Sequence, residues 1–318
     1  MKILITGIAG FLGSNLARYF ISKNIPVVGI DNFDVSYPIK MKKWNIAELK
    51  KSELVEFIEG DINDKKFLAS LETKGITHIC HMAAKANVRE STLIPQEYLE
   101  TNILGTLNIL QFALKINAKK TILASTSSIY GANKPPYSEN QTVSTPLSIY
   151  AASKLGMENL AYTFHSVYGL PIISIRFFTA YGPGGRPDMA VYKFTDLILN
   201  NKEIELWGNG SEKRDYTFVS DIAEGVYLAL NSKENYAVFN LGSSQARSLN
   251  ELISLIEKST GEKAKIIYVK KNKEDPDITL ADISKAKKVL GYNPKISLDE
   301  GISLFVKWFI KYKKKSKL

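Results

Sequence analysis

The sequence has 318 residues, of which 45% are hydrophobic and 23% charged, a balance typical of a folded chain with one large or two modest domains. The formal net charge is +10, but much of the excess lies in the C-terminal "KWFIKYKKKSKL", and no groove-reading motif or aromatic-basic interleaving indicates a nucleic-acid partner. No apolar run reaches about 18 residues, and the single Cys80 cannot form an intrachain disulfide. We therefore predict no stable membrane insertion and a cytoplasmic location.

Strands and helices alternate through the first two-thirds of the sequence. "KILITG" predicts a strand, "FLGSNLARYFISK" a helix and "PVVGID" the next strand, and then come the strands "THICHMAA" and "KTILAST", separated by the helical "YLETNILGTLNILQFALKI". "YAASKLGMENLAYTFHSVY" predicts a long helix and "PIISIRFF" a strand after it. Continuous apolar runs suit strands buried on both faces. The pattern predicts an α/β fold, with a Rossmann-type doubly wound parallel sheet over residues 1–180.

The pattern changes from residue 181. "YGPGGRPDM" is a loop by composition, and "DIAEGVYLAL", "SLNELISLIEKST" and "DEGISLFVKWFIKY" predict helices. "YAVFNLG" predicts a strand, and we expect a segment near 217–245 to return to the first domain. The rest of 181–318 is predicted to form a smaller, mixed α/β substrate domain.

A glycine-rich turn joins the first strand to the first helix. In "GIAGFLG", Gly7 allows a tight turn, Gly10 lets the backbone approach a pyrophosphate, and Gly13 lets the helix pack closely on the sheet. The second strand ends at Asp31, a carboxylate that suits a ribose diol and repels a 2′-phosphate, so NAD is favoured over NADP. Asp61 follows a third apolar run, where it meets either an adenine amino group or a local turn.

A tyrosine and a lysine lie one turn apart on the predicted helix that contains "YAASK". A lysine ammonium beside the Tyr150 phenol favours phenolate, so Lys154 is expected to lower the pKa of the tyrosine from about 10. Tyr150 then accepts a proton from a sugar hydroxyl while a hydride leaves the same carbon for NAD. The preceding strand ends in "ASTSSIYG", where the residues from Ser125 to Ser128 all have hydroxyl side chains.

Together these motifs resemble the extended short-chain dehydrogenases/reductases, the nucleotide-sugar epimerase and dehydratase group. The resemblance runs nearly end to end, through "TGIAGFLGS", "DNF", "GDI", "HMAAKANV", "TNILGT", "STSSIYG", "YAASK", "RFFTAYGPGGRPDM" and "GSEKRDYTFVSDI". It implies that Thr126 hydrogen-bonds the reacting sugar hydroxyl, that the "MAAKA" turn packs on the cofactor, and that Asn102 supports the neighbouring loop. The predicted cofactor contacts are Gly7, Gly10, Phe11, Leu12, Gly13, Asp31, Asn32, Asp61, Ile62, Ala83, Ala84, Lys85, Asn102, Tyr150 and Lys154.

The resemblance also limits the chemistry at the sugar. Dehydratases of the group carry Asp-Glu where this sequence has Ser127 and Ser128, and decarboxylating relatives carry a Glu in the same stretch. The absence of both indicates simple epimerisation at C4 through a transient 4-keto sugar. A uronic carboxylate suits several hydroxyl donors, and Thr179 stands where galactose-type epimerases tend to have Asn. Arg186 is predicted to reach the carboxylate, with local pairing in its loop as the alternative.

The nucleotide end of the substrate is less clearly marked. The resemblance implies that Arg214 meets the diphosphate, with a structural role in a hairpin as the alternative. It also implies that Asp275 lies on the uridine ribose or in a local turn. Asn272 replaces the Arg or Gln of the family, which leaves the second diphosphate contact open between Lys271 and Lys273. Lys85 and Arg89 are further candidates for the acidic sugar, with a solvent-facing position as the alternative.

We therefore predict an NAD-dependent 4-epimerase that converts UDP-glucuronate to UDP-galacturonate, without a metal ion. The nearest alternative is a 4-epimerase for UDP-glucose or UDP-N-acetylglucosamine. Two alternatives of other classes are an NAD-sensing or RNA-associated scaffold and a membrane-surface protein. The presence of Tyr150 and Lys154 argues against the scaffold, which does not require them. The membrane-surface protein would use the basic tail. The resemblance implies a homodimer formed by the helices that hold "TNILGTLNIL" and "YAASKLGMENL".

Overall fold

The computed structural model describes residues 1–270 and 277–316. Its strands are β1 (Ile3–Thr6), β2 (Val27–Asp31), β3 (Val55–Glu59), β4 (His78–His81), β5 (Lys120–Thr126), β6 (Ile172–Phe177), β7 (Thr179–Tyr181), β8 (Glu203–Trp207), β9 (Lys213–Phe218), β10 (Tyr236–Leu241), β11 (Ala246–Ser248) and β12 (Lys265–Val269). Its helices are α1 (Phe11–Ser22), α2 (Ile39–Leu49), α3 (Lys65–Ser70), α4 (Pro95–Leu99), α5 (Gly105–Lys115), α6 (Ile149–Tyr168), α7 (Ala190–Leu199), α8 (Val219–Leu230), α9 (Leu249–Thr260), α10 (Ser284–Leu290) and α11 (Leu298–Ser316).

A seven-stranded sheet organises the first part of the chain. Its strand order is β10-β6-β5-β4-β1-β2-β3, and all neighbouring strands pair in parallel. The chain runs from β1 to β2 and β3 on one side of β1 and then crosses to β4 on the other side. A topological switch point therefore lies beside β1. In open α/β sheets ligands bind at such a point, outside the carboxyl ends of the strands. The predicted Rossmann-type sheet is confirmed.

Alternate residues of the strands supply two apolar layers, one on each face of the sheet. Ile3 and Ile5 pack into one buried cluster, with α1 and α8. Leu4 packs into the other, with α5 and α6. Because both faces are covered, β1 and β5 are buried along their whole length. Cys80 is buried in the first of these clusters and is a free thiol.

A smaller mixed region follows β6. It contains a three-stranded sheet, β11-β9-β7, and a two-stranded sheet, β12-β8, which pack with α7, α9 and α11 around an apolar cluster that includes Ile204, Leu252 and Phe305. The predicted return to the large sheet occurs at β10, which pairs with β6. The boundary predicted near residue 180 stays a prediction.

One predicted helix is interrupted in the structure, and another is confirmed. The predicted helix "YLETNILGTLNILQFALKI" is α4 and α5 joined by a π-helical stretch, Glu100–Leu104, and such stretches are frequent at functional sites. The predicted helix after residue 149 is confirmed as α6. The Ser148 hydroxyl accepts the Ala151 N–H at 3.0 Å and so begins this helix, while Gly169 ends it with φ +69°. In residues 1–270 and 277–316, none of the helices has the length and apolar character needed to cross a membrane.

Candidate active site

A cavity of about 390 Å³ lies at the carboxyl edge of the large sheet, at the switch point. Its wall combines the glycine-rich turn after β1, the ends of β2, β4 and β5, and the first turns of α6, all of which the parallel sheet brings to one edge. The predicted residues in this wall are Gly7, Gly10, Phe11, Leu12, Gly13, Asp31, Asn32, Asp61, Ile62, Ala83, Ala84, Lys85, Thr126, Ser127, Ser128, Tyr150, Lys154, Thr179 and Arg186.

The glycine-rich turn has no room for side chains at two of its positions. Gly7 has φ +68°, and a Cβ there would lie 2.8 Å from the backbone of Ala83. A Cβ on Gly13 would lie 2.2 Å from the Gly7 carbonyl oxygen. Helix α1 begins after Gly10 with no acidic residue in its first turn and no side-chain cap from the described residues. Its first N–H groups therefore remain available for an anion at the cavity.

Asp31 is buried at the end of β2 and is held by three donors. Its Oδ2 accepts the Ala9 N–H at 3.1 Å, and its Oδ1 accepts the Phe33 N–H at 2.8 Å. The Lys42 ammonium lies 3.3 Å from the same Oδ1. Lys42 belongs to α2, which the sequence analysis did not predict, so this ion pair was missed.

The next two segments of the wall are tied to their neighbours by amide side chains. Asn32 Nδ2 donates to Asp61 Oδ2 at 2.8 Å. Asn102 does not line the cavity; it accepts the Lys85 N–H at 2.9 Å and donates to the Lys85 carbonyl at 2.9 Å. Asn102 Nδ2 also donates to Ser153 Oγ at 2.9 Å. The asparagine thus joins the loop after β4 to helix α6, and its predicted contact with the cofactor stays a prediction.

Tyr150 and Lys154 share a face of α6 and are buried, at 8% and 3% exposure. The Thr126 side chain lies beside the Tyr150 phenol and acts to lower its pKa, and Lys154 Nζ donates to the Ala124 carbonyl at 2.8 Å. Burial lowers the pKa of Lys154 to about 7, and the Glu158 charge opposes this shift.

The pKa of Tyr150 corrects a prediction. Burial raises this pKa, and the Thr126 hydrogen bond and the Arg186 charge only partly oppose the shift. The expectation that Lys154 pulls the pKa of the phenol below about 10 is therefore wrong for this arrangement, because desolvation dominates and the Lys154 amine donates to a backbone carbonyl.

The hydroxyl groups after β5 divide between the cavity and the protein interior. Thr126 Oγ1 donates to Ser128 Oγ at 3.2 Å and accepts the Ser128 N–H at 3.2 Å. Ser127, Ser128 and Thr179 also line the cavity. Ser125 is also part of the cavity wall, but its hydroxyl donates to the buried Glu158 at 2.5 Å.

The predicted cationic contacts have mixed positions. Arg186 lines the cavity, where its Nε lies 3.0 Å from Asp188 Oδ1, its Nη2 2.5 Å from Asp188 Oδ2 and its Nη1 3.1 Å from the Ala86 carbonyl. Arg214 lies outside the wall, and its Nη1 donates to the Lys213 carbonyl at 2.9 Å. Its role at the diphosphate stays a prediction.

The remaining candidates are Arg89 and the residues near position 272. The guanidinium of Arg89, outside the wall, lies 5.2 Å from the ring centroid of Trp207. Asp275, Asn272 and the two candidates for the second diphosphate contact, Lys271 and Lys273, lie outside the described residues.

These residues fit NAD as a cofactor. The glycine-rich turn leaves room for a pyrophosphate at the start of α1, and the buried Asp31 carboxylate stands at the end of β2, where a ribose diol would meet it. Tyr150 and Lys154 lie at another part of the same cavity wall. The Asp31 carboxylate, the glycine-rich turn and the Tyr150 phenol therefore follow one another along the sheet edge, in the order that a dinucleotide needs.

Comparisons with known proteins agree with this site. The model of the family described as GDP-mannose 4,6 dehydratase matches residues 4–305. The UDP-glucuronate 4-epimerase of Thermodesulfobacterium geofontis (strain OPF15) is 43% identical over 307 residues, which cover 96% of this chain and 95% of that protein.

Two solved structures are similar over the whole chain. The UDP-glucuronic acid 4-epimerase of Bacillus cereus, crystallised with UDP-glucuronic acid and NAD, has a TM-score of 0.92 at 36% identity and covers 98% of this chain and 99% of that one. The UDP-glucose 4-epimerase of Thermotoga maritima, crystallised with UDP-glucose, has a TM-score of 0.90 at 31% identity and covers 98% of this chain and 100% of that one. The chain therefore belongs to the GDP-mannose 4,6-dehydratase family of extended short-chain dehydrogenases/reductases, and within it resembles the UDP-glucuronate 4-epimerases.

Proposed function

We propose that the protein is an NAD-dependent epimerase that converts UDP-glucuronate to UDP-galacturonate by inversion at C4. The observation that carries the proposal is one cavity wall that holds the Tyr150 phenol, the buried Lys154, a row of hydroxyl side chains and the Arg186 guanidinium. The similarity to UDP-glucuronate 4-epimerases supports the same substrate.

NAD is proposed to lie along the sheet edge. The glycine-rich turn and the first N–H groups of α1 would hold its pyrophosphate, Asp31 its adenosine ribose, and Lys154 its nicotinamide ribose. When bound, NAD supplies the redox chemistry, removing a hydride from C4 and returning it to the opposite face of the transient 4-keto sugar.

Tyr150 is proposed to move the proton that accompanies this chemistry. Its phenol lies beside Thr126 in the cavity wall, so a sugar hydroxyl that binds between the two side chains has both an acceptor and an orienting partner. The Arg186 charge favours phenolate and partly offsets the effect of burial on the pKa of Tyr150. The same phenol returns the proton when the C4 hydroxyl is restored, because the forward and reverse transfers use one site.

The hydroxyl row is proposed to bind the sugar carboxylate. Thr126, Ser127, Ser128 and Thr179 offer neutral donors, and Arg186 adds a charged one. A 4-keto uronate is a β-keto acid, which loses CO2 most easily when its C5–C6 bond is parallel to the carbonyl π system. Donors that hold the carboxylate out of that alignment favour epimerisation over decarboxylation.

Two finer features are also part of the proposal. Exposed apolar side chains on the helices around the π-helical stretch, Leu99 at 45% and Leu104 at 51% exposure, together with Tyr162 of α6 at 59%, support a homodimer formed by these helices. A single buried thiol suits a reducing compartment, so we place the reaction in the cytoplasm. A UDP-uronate is an activated glycosyl donor, which suits polysaccharide biosynthesis.

The direct test is incubation of the purified protein with UDP-glucuronate, UDP-glucose and UDP-N-acetylglucosamine, with product analysis by NMR. The proposal predicts UDP-galacturonate from UDP-glucuronate and little turnover of the neutral sugars. Preferential turnover of UDP-glucose would instead support the neutral-sugar alternative, and no turnover of any of the three would reject 4-epimerisation of these substrates.

A further inference from the structure

A buried ion pair lies directly behind the Tyr150–Lys154 pair, in the protein interior. Arg176 of β6 donates to Glu158 of α6 from Nε to Oε1 at 3.0 Å and from Nη2 to Oε2 at 2.8 Å. The two side chains are only 4% and 6% exposed. This forked arrangement fixes the orientation of the carboxylate as well as its position.

Three successive residues of β5 meet three residues of α6 that share one face. Tyr150, Lys154 and Glu158 are spaced four residues apart, so they form a stripe along the helix. Lys154 Nζ donates to the carbonyl of Ala124 at 2.8 Å, and Ser125 Oγ donates to Glu158 at 2.5 Å. The side chain that follows, Thr126, lies beside the Tyr150 phenol. Glu158 is therefore one of three ties that align the end of β5 with the helix.

Arg176 is itself held on its far side. Its Nη1 donates to the Tyr130 hydroxyl oxygen at 3.0 Å, and its guanidinium carbon lies 4.9 Å from the centroid of the same ring. The Tyr130 hydroxyl donates in turn to Asn240 Oδ1 at 2.7 Å. Because the guanidinium is fixed in this way, the Glu158 carboxylate is held between Arg176 and Ser125.

The charges around Lys154 come from three elements. Glu158 lies on the same helix and is the acid that raises the pKa of Lys154 against the effect of burial. Arg176 adds a positive charge from β6. His81 of β4 faces the lysine, but burial and the Lys154 charge lower the pKa of His81 to about 3, so it is neutral near pH 7. Among the described residues, Glu158 thus supplies the negative charge near the Lys154 ammonium.

We propose that Glu158, oriented by Arg176, is a positioning residue for the catalytic pair: it holds the end of β5 against α6 and keeps the proton on Lys154. This inference rests on the proposed function, because the charged lysine matters only if Lys154 acts beside Tyr150. It adds a carboxylate that touches neither substrate nor cofactor to the groups that set the pH range of the reaction.

Glu158→Gln is the primary variant, because it retains an oxygen acceptor for Ser125 and nearly the same volume. It leaves Arg176 and Lys154 as two buried cations without their counter-charge. We expect the alkaline limb of the kcat profile to move down by at least one pH unit, while KM for UDP-glucuronate changes less than twofold. Glu158→Asp, which restores the charge on a shorter chain, is expected to recover most of the shift.

Two further variants separate charge from structure. Ser125→Ala removes a hydrogen bond of Glu158 and leaves every charge in place, so it is expected to lower stability without moving the alkaline limb. If Glu158→Gln does not fold, the double variant Glu158→Gln/Arg176→Met removes both buried charges. In that variant the limb is still expected to move down, but by less, because the repulsion from Arg176 is also gone.

A measurement that does not need turnover completes the test. In protein labelled with ¹³C at the lysine ε-carbons, the Lys154 signal, assigned with Lys154→Arg, is titrated with pH by NMR. The titration midpoint is expected to fall by at least one unit in Glu158→Gln, and by a smaller amount in the double variant. An unchanged midpoint in a folded variant, or a kcat limb that moves equally in Ser125→Ala, would overturn the inference. Failure of the wild type to epimerise UDP-glucuronate would reject the proposed function, while the Lys154 titration would still decide the role of Glu158.

Discussion

Gly13→Ala tests whether the glycine-rich turn is shaped by close packing for the cofactor. The added Cβ would lie 2.2 Å from the Gly7 carbonyl oxygen and 2.8 Å from the Gly7 carbonyl carbon and the Ile8 Cα. These neighbours are backbone atoms, so the methyl group fits only if the turn or the start of α1 moves. Overpacking of this kind costs about 1–3 kcal/mol, which corresponds to roughly 5- to 150-fold in an equilibrium constant.

The cost is expected in NAD binding, because the displaced turn is the one that faces the pyrophosphate. The assay is the NAD content of the purified variant after dialysis, together with NAD titration followed by intrinsic fluorescence and with Tm. Gly169→Ala is the matched control. Gly169 differs from Gly13 in that its backbone is left-handed, with φ +69°, and no heavy atom of the described residues lies within 4 Å of its built Cβ.

The control is expected to lose about 1–2 kcal/mol of stability from the left-handed backbone and to bind NAD like the wild type. Gly13→Ala is expected to bind NAD at least fivefold more weakly. Wild-type NAD affinity in Gly13→Ala, or an equal loss of affinity in both variants, would refute the reasoning.

Three further predictions concern pH, the sugar and assembly. The buried His81 has its pKa lowered to about 3, whereas in the unfolded chain it is about 6.5; stability is therefore present above pH 6.5 and lost as the pH falls toward 3. The free energy of unfolding, measured with urea, is expected to fall between pH 7 and 5 by about 2 kcal/mol less in His81→Gln than in the wild type. An equal fall in both proteins would show that His81 does not cause this pH dependence. Ser127→Ala/Ser128→Ala is expected to release more UDP-pentose from UDP-glucuronate than the wild type, measured by NMR. An unchanged yield would reject the proposal that these hydroxyl groups hold the sugar carboxylate. Leu104→Glu places a charge on an exposed leucine of the predicted dimer face and is expected to yield monomers in light scattering, where an unchanged mass would exclude that face.

The parts of the site that could be predicted from sequence come from short motifs at the ends of parallel strands. The turn around Gly7, Asp31, the hydroxyl row at Thr126 and the Tyr150–Lys154 pair each follow or precede a recognisable strand or helix pattern. A parallel sheet brings such ends to one edge, so their meeting in one cavity follows from the strand assignments.

The parts that could not be predicted depend on side chains from elements far apart in sequence. Lys42 reaches Asp31 from α2, a helix with little apolar periodicity, and Arg176 reaches Glu158 from β6. The spacing of Glu158 from Lys154 was a usable signal, because four residues place both on one helix face. The raised pKa of Tyr150 was missed because desolvation depends on the whole surrounding fold.

The π-helical stretch shows the same limit. The apolar pattern from α4 to α5 is continuous, and nothing in it marks the wider turn at Glu100–Leu104. The stretch contains Asn102, whose amide bridges the loop after β4 and the Ser153 hydroxyl on α6. Its function as a brace was predictable from the family resemblance, whereas its backbone geometry was not.

The central claim is that Tyr150 carries the proton while the cofactor stays bound, and Tyr150→Phe tests it most directly. The variant keeps the ring and removes only the hydroxyl, so NAD content is expected to equal that of the wild type. Conversion of UDP-glucuronate to UDP-galacturonate, followed by NMR, is expected to fall below detection. Turnover near the wild-type rate in a variant that retains NAD would contradict the assignment.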